Sequence, residues 1–101
     1  VTRDGIVTAC NPAFADMIGR SVPSLIGRPS AIGFASRDEY ERFAADAAPA
    51  LAAGKRYHGE IRLARKGGAE LWCELEGQPV RSRGVARETV WSARDITAER
   101  R

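Results

Sequence analysis

The stretch YHGEIRLARKGGAELWCELE, residues 57–76, constrains the fold more than any other part of this chain. Apolar residues alternate with polar ones in both of its halves, with Tyr57, Ile61 and Leu63 in the first and Leu71, Cys73 and Leu75 in the second. A period of two residues is typical of a β-strand with one buried face. Because Gly67-Gly68 gives the backbone the freedom to reverse between the halves, the stretch predicts an antiparallel hairpin.

The side chains on the two faces predict how these strands pair. A three-residue loop, Gly67-Gly68-Ala69, places Leu63 opposite Cys73 on one face. The same loop pairs Arg62 with Glu74 on the other face, and opposite charges in such pairs stabilise a sheet. A two-residue loop would mix apolar and polar side chains on each face. We therefore expect the three-residue loop.

Size, charge and cysteine spacing exclude several classes of protein. The 101 residues are enough for one domain with a single modest core. The net charge of +3 comes from scattered arginines without interleaved aromatic residues, which is not the pattern of a nucleic-acid surface. The two cysteines lack the spacing of a zinc site, and no apolar run approaches the roughly 20 residues that span a bilayer. We expect a cytoplasmic module of a longer protein that binds neither nucleic acid, nor membrane, nor metal.

The first third of the chain predicts two short strands and two short helices. Residues 1–3 are interpreted as a strand remnant, Asp4-Gly5 as a turn, and residues 6–10 as a second strand. Asn11-Pro12 then begins a helix, because Asn can cap the free amides of the first turn and Pro is tolerated at the first helical position. Residues 21–27 predict a further helical turn.

A longer helix and one more strand complete the predicted order. Ser36 and Glu39 match a capping box, and Pro49 should kink the helix that begins there. After the hairpin, a loop containing Gly84 leads to a last strand over residues 89–94. Strands joined by short loops favour antiparallel pairing, and helices grouped between runs of strands are typical of the α+β class.

Several ordered motifs along nearly the whole chain resemble those of PAS domains. They are Asp4-Gly5-Ile6-Val7 leading to Asn11-Pro12-Ala13-Phe14, Leu25-Ile26-Gly27-Arg28, Arg65-Lys66-Gly67-Gly68 followed by Trp72, and the closing Asp95-Ile96-Thr97. The resemblance implies a PAS fold over residues 1–97, with a five-stranded antiparallel sheet in the order 2-1-5-4-3 and short helices on one face. The first strand is trimmed to residues 1–3, and residues 98–101 would start an outgoing signalling helix.

The resemblance also implies a biological role. PAS domains are sensory and dimerisation modules, common in bacterial histidine kinases, diguanylate cyclases and transcription regulators. We therefore expect a non-catalytic, homodimeric module of a bacterial signal-transduction protein, covalently linked to a kinase, cyclase or DNA-binding effector domain. By analogy with the family, Asp95, Ile96 and Thr97 would pass the state of the domain to the outgoing helix.

The cofactor classes of the family each require a particular residue. Haem-binding members carry a ligating histidine on the long helix, but residues 37–53 contain none, and His58 alternates onto the polar face of its strand. Members that bind flavin covalently need a cysteine on a helix, whereas Cys10 and Cys73 fall in predicted strands. We therefore expect neither haem nor a covalent flavin.

The two tryptophans leave a non-covalent flavin open as a further alternative, because both rings can stack on a flavin. A simpler interpretation assigns them other roles. Trp72 lies on the outward face of its strand and would form part of a dimer surface. The family alignment directs Trp91 inward, into the core.

Strand parity and the resemblance together predict a cavity between the sheet and the helices. Its expected lining is Thr8, Cys10, Phe14, Ile18, Tyr40, Phe43, Ile61, Leu63, Leu71, Cys73, Leu75 and Trp91. The hydroxyls of Thr8 and Tyr40, the Trp91 N–H and the Arg65 side chain would orient a ligand. No buried charge pair stands out, which favours a small neutral organic molecule.

Besides a flavin-binding sensor, two functions remain open at this point. The domain either senses a small molecule or acts without a ligand as a protein-interaction module, since an apolar interior is also what an ordinary core requires. Catalysis is not expected, because a single surface histidine and no arranged nucleophile and base do not meet the requirements of acid–base or covalent chemistry.

Overall fold

The computed structural model describes residues 1–80 and 88–100, so the predicted loop at Gly84 lies outside the described residues. The elements are β1 (Thr2–Arg3), β2 (Ile6–Val7), α1 (Pro12–Met17), α2 (Val22–Leu25), a 3₁₀ helix (Ser30–Gly33), α3 (Arg37–Ala52), β3 (Tyr57–Ala64), β4 (Glu70–Val80) and β5 (Glu88–Asp95). The five strands form one antiparallel sheet in the order β2-β1-β5-β4-β3, which confirms the predicted topology. Within the described residues, no helix has the length and apolar character to span a bilayer.

The predicted capping residues begin the helices. The Asn11 Oδ1 accepts a hydrogen bond from the Ala13 N–H at 2.8 Å, and the Ser36 Oγ accepts one from the Glu39 N–H at 3.1 Å. These bonds satisfy amides of the first turn that have no partner within the helix. In a capping box the Glu39 carboxylate would also accept from the Ser36 backbone N–H. Here it instead accepts a hydrogen bond from the Arg62 guanidinium of β3 at 2.7 Å.

The second strand is shorter than predicted, and its faces are exchanged. We expected a strand from Ile6 to Cys10 with Thr8 and Cys10 inward, which would also turn Ile6 inward, but β2 ends at Val7 and Ile6 is 38% exposed. The cause is the tight turn at Asp4-Gly5, where both residues have positive φ and Arg3 pairs directly with Ile6. Ile6 therefore shares the outer face with Arg3, and Val7 points toward the core.

The hairpin register differs from the prediction by two residues. Leu63 pairs with Leu71 rather than with Cys73, and Arg62 pairs with Trp72 rather than with Glu74. Because two residues are one full strand period, the predicted inner and outer faces are retained. Only the identity of the opposing residues was wrong.

The turn and a long side chain explain the difference in register. Arg65 N–H donates to the Ala69 carbonyl at 2.7 Å, which closes the hairpin one residue earlier than expected. The residues that turn are then 66–68, and Gly67 and Gly68 supply the positive φ values of 109° and 101°. Arg62 does not need a partner directly opposite, since β3 is an edge strand and its guanidinium reaches Glu39 of α3.

The core lies between the inner face of the sheet and the helices. Its buried members are Ala15, Ile18, Leu25, Phe43, Ala47, Ile61, Leu63, Leu71, Cys73 and Leu75. Strands β3 and β4 contribute their predicted apolar face, and α3 contributes one stripe. This arrangement is the α+β layer pair that the order of elements predicts.

Gly77 permits close approach of an aromatic ring to the sheet. A Cβ at this position would lie 2.5 Å from Cζ3 of Trp91, which is paired with Gly77 across β4 and β5. Gly77→Ala should therefore displace the indole ring and lower the free energy of unfolding by about 1–3 kcal/mol, as overpacking does. Urea denaturation measures this, with Gln78→Ala on the exposed outer face as the control. Equal stability of the two variants would contradict the prediction.

Candidate functional site

A cavity of about 570 Å³ lies between the sheet and the short helices. Most of the predicted lining residues surround it, namely Cys10, Phe14, Ile18, Phe43, Ile61, Leu63, Leu75 and Trp91. They come from α1 and its C-cap, α3, the three long strands and the loop before α1. The fold thus brings together side chains that are far apart in the sequence.

Four predicted lining residues do not contact the cavity. Leu71 and Cys73 are fully buried in the core beside it, with exposed fractions of 3% and 0%. Thr8 is exposed and its hydroxyl donates to the Val1 carbonyl at 3.3 Å, because Val7 rather than Ile6 points inward and Thr8 follows on the opposite side. Tyr40 is half-buried on the far side of Phe34, whose ring it meets edge-on at 5.0 Å.

Further lining residues were not predicted from the sequence, and most of them lie on short or irregular segments rather than on a long strand. They are Val1, Thr2, Val7, Ala9, Asn11, Ala13, Met17, Leu25, Ser30, Ile32, Gly33, Phe34, Ser92, Ala93, Arg94 and Asp95. Met17 and Leu25 had a usable signal, since both follow helical spacing with other apolar residues. Ile32 and Phe34 had none, because the stretch between α2 and α3 has no periodicity.

An aromatic cluster centred on Phe43 contributes to the cavity wall. The Phe43 ring centroid lies 4.9 Å from that of Phe34, 5.3 Å from that of Tyr57 and 5.4 Å from that of Trp91. Aromatic pairs at these separations and with tilted or edge-on geometry attract one another beyond simple burial. The cluster holds the Phe34, Phe43 and Trp91 rings against the space that a ligand would occupy.

The polar groups at the cavity differ from the expected ones. The Trp91 Nε1–H donates to the Thr2 Oγ1 at 2.9 Å, so the indole N–H is already satisfied within the protein. The Tyr40 hydroxyl lies 3.5 Å from the Ser30 Oγ, and Arg65 is exposed and does not line the cavity. Of the lining residues, Thr2, Ser30 and Ser92 carry hydroxyl groups.

The cavity wall is largely uncharged. Among the lining residues of the described chain, only Arg94 and Asp95 have charged side chains, and both are exposed. Their charged groups have partners elsewhere, with Arg94 3.2 Å from Glu99 and Asp95 bonded to Thr97. Burying an unpaired ion in an apolar site costs roughly several kcal/mol of free energy. Such a wall therefore favours the binding of neutral molecules.

Both cysteines are in environments that suppress thiolate chemistry. Burial raises the pKa of the Cys73 thiol to about 11, and burial also raises the pKa of Cys10. Cys73 lies in β4 as predicted, whereas Cys10 lies in the loop between β2 and α1 rather than in a strand. Both thiols therefore remain protonated at neutral pH, and Cys10 adds an uncharged group to the wall.

The predicted output residues are fixed to the neighbouring strand β4. The Ile96 N–H donates to the Trp72 carbonyl at 2.9 Å, and the Trp72 N–H donates to the Thr97 Oγ1 at 3.0 Å. Ile96 is only 3% exposed. Residues 97–100 form a turn rather than the start of a regular helix, although the Arg100 N–H reaches the Ile96 carbonyl as in a first helical turn.

Asp95 holds Thr97 through two hydrogen bonds, which gives a testable pH dependence. The hydroxyl and the backbone N–H of Thr97 donate to Oδ1 at 2.7 and 2.9 Å and hold the pKa of Asp95 below its ordinary value of 3.8. The two bonds therefore make their full contribution to the free energy of unfolding above pH 3.8. This contribution is lost as the pH falls through the lowered pKa of Asp95. The Thr97 amide resonance should titrate with a midpoint below 3.8, and this transition should vanish in Asp95→Asn. A midpoint at or above 3.8 would contradict the assignment.

Comparison with known proteins identifies the family. Residues 1–101 match the model described as PAS fold. No curated protein matches the chain in sequence. A similar solved structure is the PAS domain, in complex with ethanol, of a transcriptional regulator in the LuxR family from Burkholderia thailandensis. It is 29% identical with a TM-score of 0.81, and the match covers 94% of this chain and 84% of that chain.

Two further structures share the fold. The PAS domain of a protein from Colwellia psychrerythraea is 24% identical, with a TM-score of 0.88 and coverage of 97% of this chain and 84% of that chain. An RNA-binding light-oxygen-voltage receptor is 28% identical, with a TM-score of 0.79 and coverage of 97% of this chain but only 28% of that chain. With its whole length matched to the family and its sheet in the expected order, the chain belongs to the PAS family.

Proposed function

We propose that this PAS domain is a non-catalytic sensor module that binds a small neutral organic molecule in the cavity. The observation that carries the proposal is the cavity itself, about 570 Å³ in volume, with a largely apolar and uncharged wall. Ligand pockets in proteins commonly have volumes of roughly 300–1,000 Å³ and place a few polar groups on an apolar lining. The Thr2 and Ser30 hydroxyls supply such polar groups.

The comparison with the LuxR-family regulator supports the proposal. That PAS domain was solved in complex with ethanol, which is small and uncharged. Transfer of apolar surface from water contributes roughly 25 cal/mol per Å² buried, so a larger neutral molecule with an aromatic ring would bind this lining more strongly. We infer the same class of ligand for the present chain.

A route from the cavity to the rest of the protein runs along β5. Trp91 and Ala93 line the cavity, and the same strand ends at Asp95, where the bonded segment 96–97 begins. A ligand that prefers one arrangement of β5 would shift the population of that arrangement. We propose that a covalently linked effector domain, a kinase, cyclase or DNA-binding domain of a cytoplasmic bacterial protein, receives this change.

Thermal denaturation with three compounds of similar size tests the proposed ligand class. Benzyl alcohol is neutral, benzoate is an anion and benzylammonium is a cation. A ligand that binds only the folded state raises the melting temperature by mass action, and the neutral compound alone should do so. No shift with benzyl alcohol, or an equal shift with a charged compound, would contradict the proposal.

A ligand-free dimerisation module is the second candidate function. The outer face of the sheet exposes Ile6, Val80 and Val90 by 38%, 40% and 46%. Trp72 lies on the same face and is half-buried. The change Trp72→Glu should reduce the mass measured by light scattering if this face joins two copies, and an unchanged mass would refute a role for Trp72.

A non-covalently bound flavin is the least supported alternative. The light-oxygen-voltage receptor shares the fold, but its name alone supports this alternative. The Trp91 ring packs against Phe43 and Tyr57, with centroids 5.4 and 6.1 Å away. A purified protein without the visible absorbance of flavin would remove this alternative.

A further inference from the structure

The outer face of the sheet contains an aromatic ring that is stacked with a cation. The Arg100 Cζ lies 3.7 Å from the centroid of the Trp72 ring, and the Arg62 Cζ lies 5.8 Å from it. A guanidinium within about 6 Å of an aromatic centroid is attracted to the ring face, and tryptophan gives the strongest such contact. Arg100 is the closer of the two cations and belongs to the segment that leaves the domain.

Carboxylates beside the ring complete a site for a cation. Glu60 of β3 pairs directly with Glu74 of β4, although like charges in such a pair repel one another. Arg100 forms an ion pair with Glu60, and Arg94 lies 3.6 Å from Glu74. The sheet thus presents an aromatic face and an acidic group to the Arg100 guanidinium.

The backbone brings Arg100 to this position. Ile96 and Thr97 are hydrogen-bonded to the two backbone groups of Trp72, and the Arg100 N–H donates to the Ile96 carbonyl at 3.1 Å. The same tryptophan therefore anchors the start of the outgoing segment through its backbone and the end of that segment through its ring. A second cation, Arg94 of β5, lies 3.2 Å from Glu99, which belongs to the outgoing segment.

We propose that Glu60 and Trp72 form a receptor for the guanidinium of Arg100, and that this contact holds residues 97–100 against the outer face of the sheet. This proposal is independent of any ligand in the cavity. The Arg100 and Glu60 side chains are 40% and 43% exposed, so their ion pair alone is weak and is screened by salt. The contact therefore acts as a latch that opens and closes readily, and Trp72 has a specific partner within the chain.

A double-mutant cycle on the 101-residue chain tests the latch. The readout is the solvent-exchange rate of the residue-100 amide measured by NMR, since this amide donates to the Ile96 carbonyl in the docked segment and the proposal requires undocking to expose it. Arg100→Gln should raise the rate about fivefold, the ratio expected from loss of a cation–π contact. Trp72→Leu should raise it by a similar or smaller factor, and the double variant should show no increase over Arg100→Gln, because that change already removes both the ring contact and the Glu60 ion pair.

A matched control uses another exposed arginine. Arg37 forms an ion pair with Glu41 on α3 at 3.2 Å, away from the Trp72 ring, so Arg37→Gln should leave the exchange rate unchanged. Arg100→Gln changes an exposed residue and keeps the fold intact, which the other amide resonances verify. An unchanged rate in Arg100→Gln, or additive effects of the two changes at Arg100 and Trp72, would overturn the proposal.

Discussion

Replacing Leu63 by alanine should lower the free energy of unfolding by about 2–5 kcal/mol, the usual range for a buried leucine. Leu63 is 3% exposed, pairs with Leu71 on the inner face and lines the cavity. The neighbouring residue Phe34 forms an isolated bridge with it, so the loss of side-chain volume also loosens the aromatic wall. Urea denaturation followed by tryptophan fluorescence measures the difference.

Val90 provides the control for this experiment. It lies on β5 with its side chain on the outer face and is 46% exposed. Val90→Ala should therefore change the free energy of unfolding by less than about 0.5 kcal/mol, as is usual for surface positions. If Leu63→Ala were no more destabilising than Val90→Ala, the assignment of the two faces of the sheet would be wrong.

Replacing Ala93 by phenylalanine should weaken the binding of benzyl alcohol at least about tenfold, which corresponds to about 1.4 kcal/mol. Ala93 is half-buried on the inner face of β5, opposite Leu75, and lines the cavity. A phenyl ring at this position occupies the space that we assign to the ligand. The dissociation constant is measured by NMR titration or from the concentration dependence of the melting temperature.

Val90→Phe is the matched control for the cavity experiment. It adds a ring to the same strand but on the outer face, so the affinity for benzyl alcohol should not change. Retained affinity in Ala93→Phe would place the ligand elsewhere. An equal loss in Val90→Phe would mean that the effect arises from β5 as a whole and not from the cavity.

The two-residue period of the hairpin was sufficient to predict the faces of β3 and β4. Alternation places Ile61 and Leu63 on one side whatever the exact register, and the register error of two residues left this result intact. The exact pairing was not predictable from charges, because Arg62 lies on an edge strand and its long side chain reaches Glu39 on another element. The charge of a long side chain is therefore a poor predictor of which residue lies directly opposite it on the neighbouring strand.

The cavity wall was most predictable where it consists of long regular elements, although Ala93 of β5 was missed. Ile61, Leu63 and Leu75 were placed correctly, since each lies within a strand of eight or more residues. Thr8 was placed wrongly, because the tight turn at Asp4-Gly5 directs Val7 rather than Ile6 inward, which exchanges the two faces of β2. Phe34 was missed because it follows a 3₁₀ helix, where no period in the sequence marks the buried side.

The contacts of the outgoing segment depend on distant parts of the chain. The closing motif identified Asp95 and Thr97, but the hydrogen bond from the Trp72 N–H to Thr97 joins residues that are adjacent only after β4 and β5 pair. The stacking of Arg100 on the Trp72 ring is of the same kind. The sequence placed Trp72 on the outer face but contained no signal for its partner.

An NMR titration of the domain with benzyl alcohol tests the central claim, that the interior cavity binds a neutral molecule and that β5 carries the change to Thr97. The Trp91 indole N–H resonance and the Ile61 and Leu63 methyl resonances should shift. The Thr97 amide resonance should shift with the same midpoint concentration of benzyl alcohol. Shifts confined to outer-face residues such as Val90, or no shift at the Trp91 indole up to saturation, would contradict it.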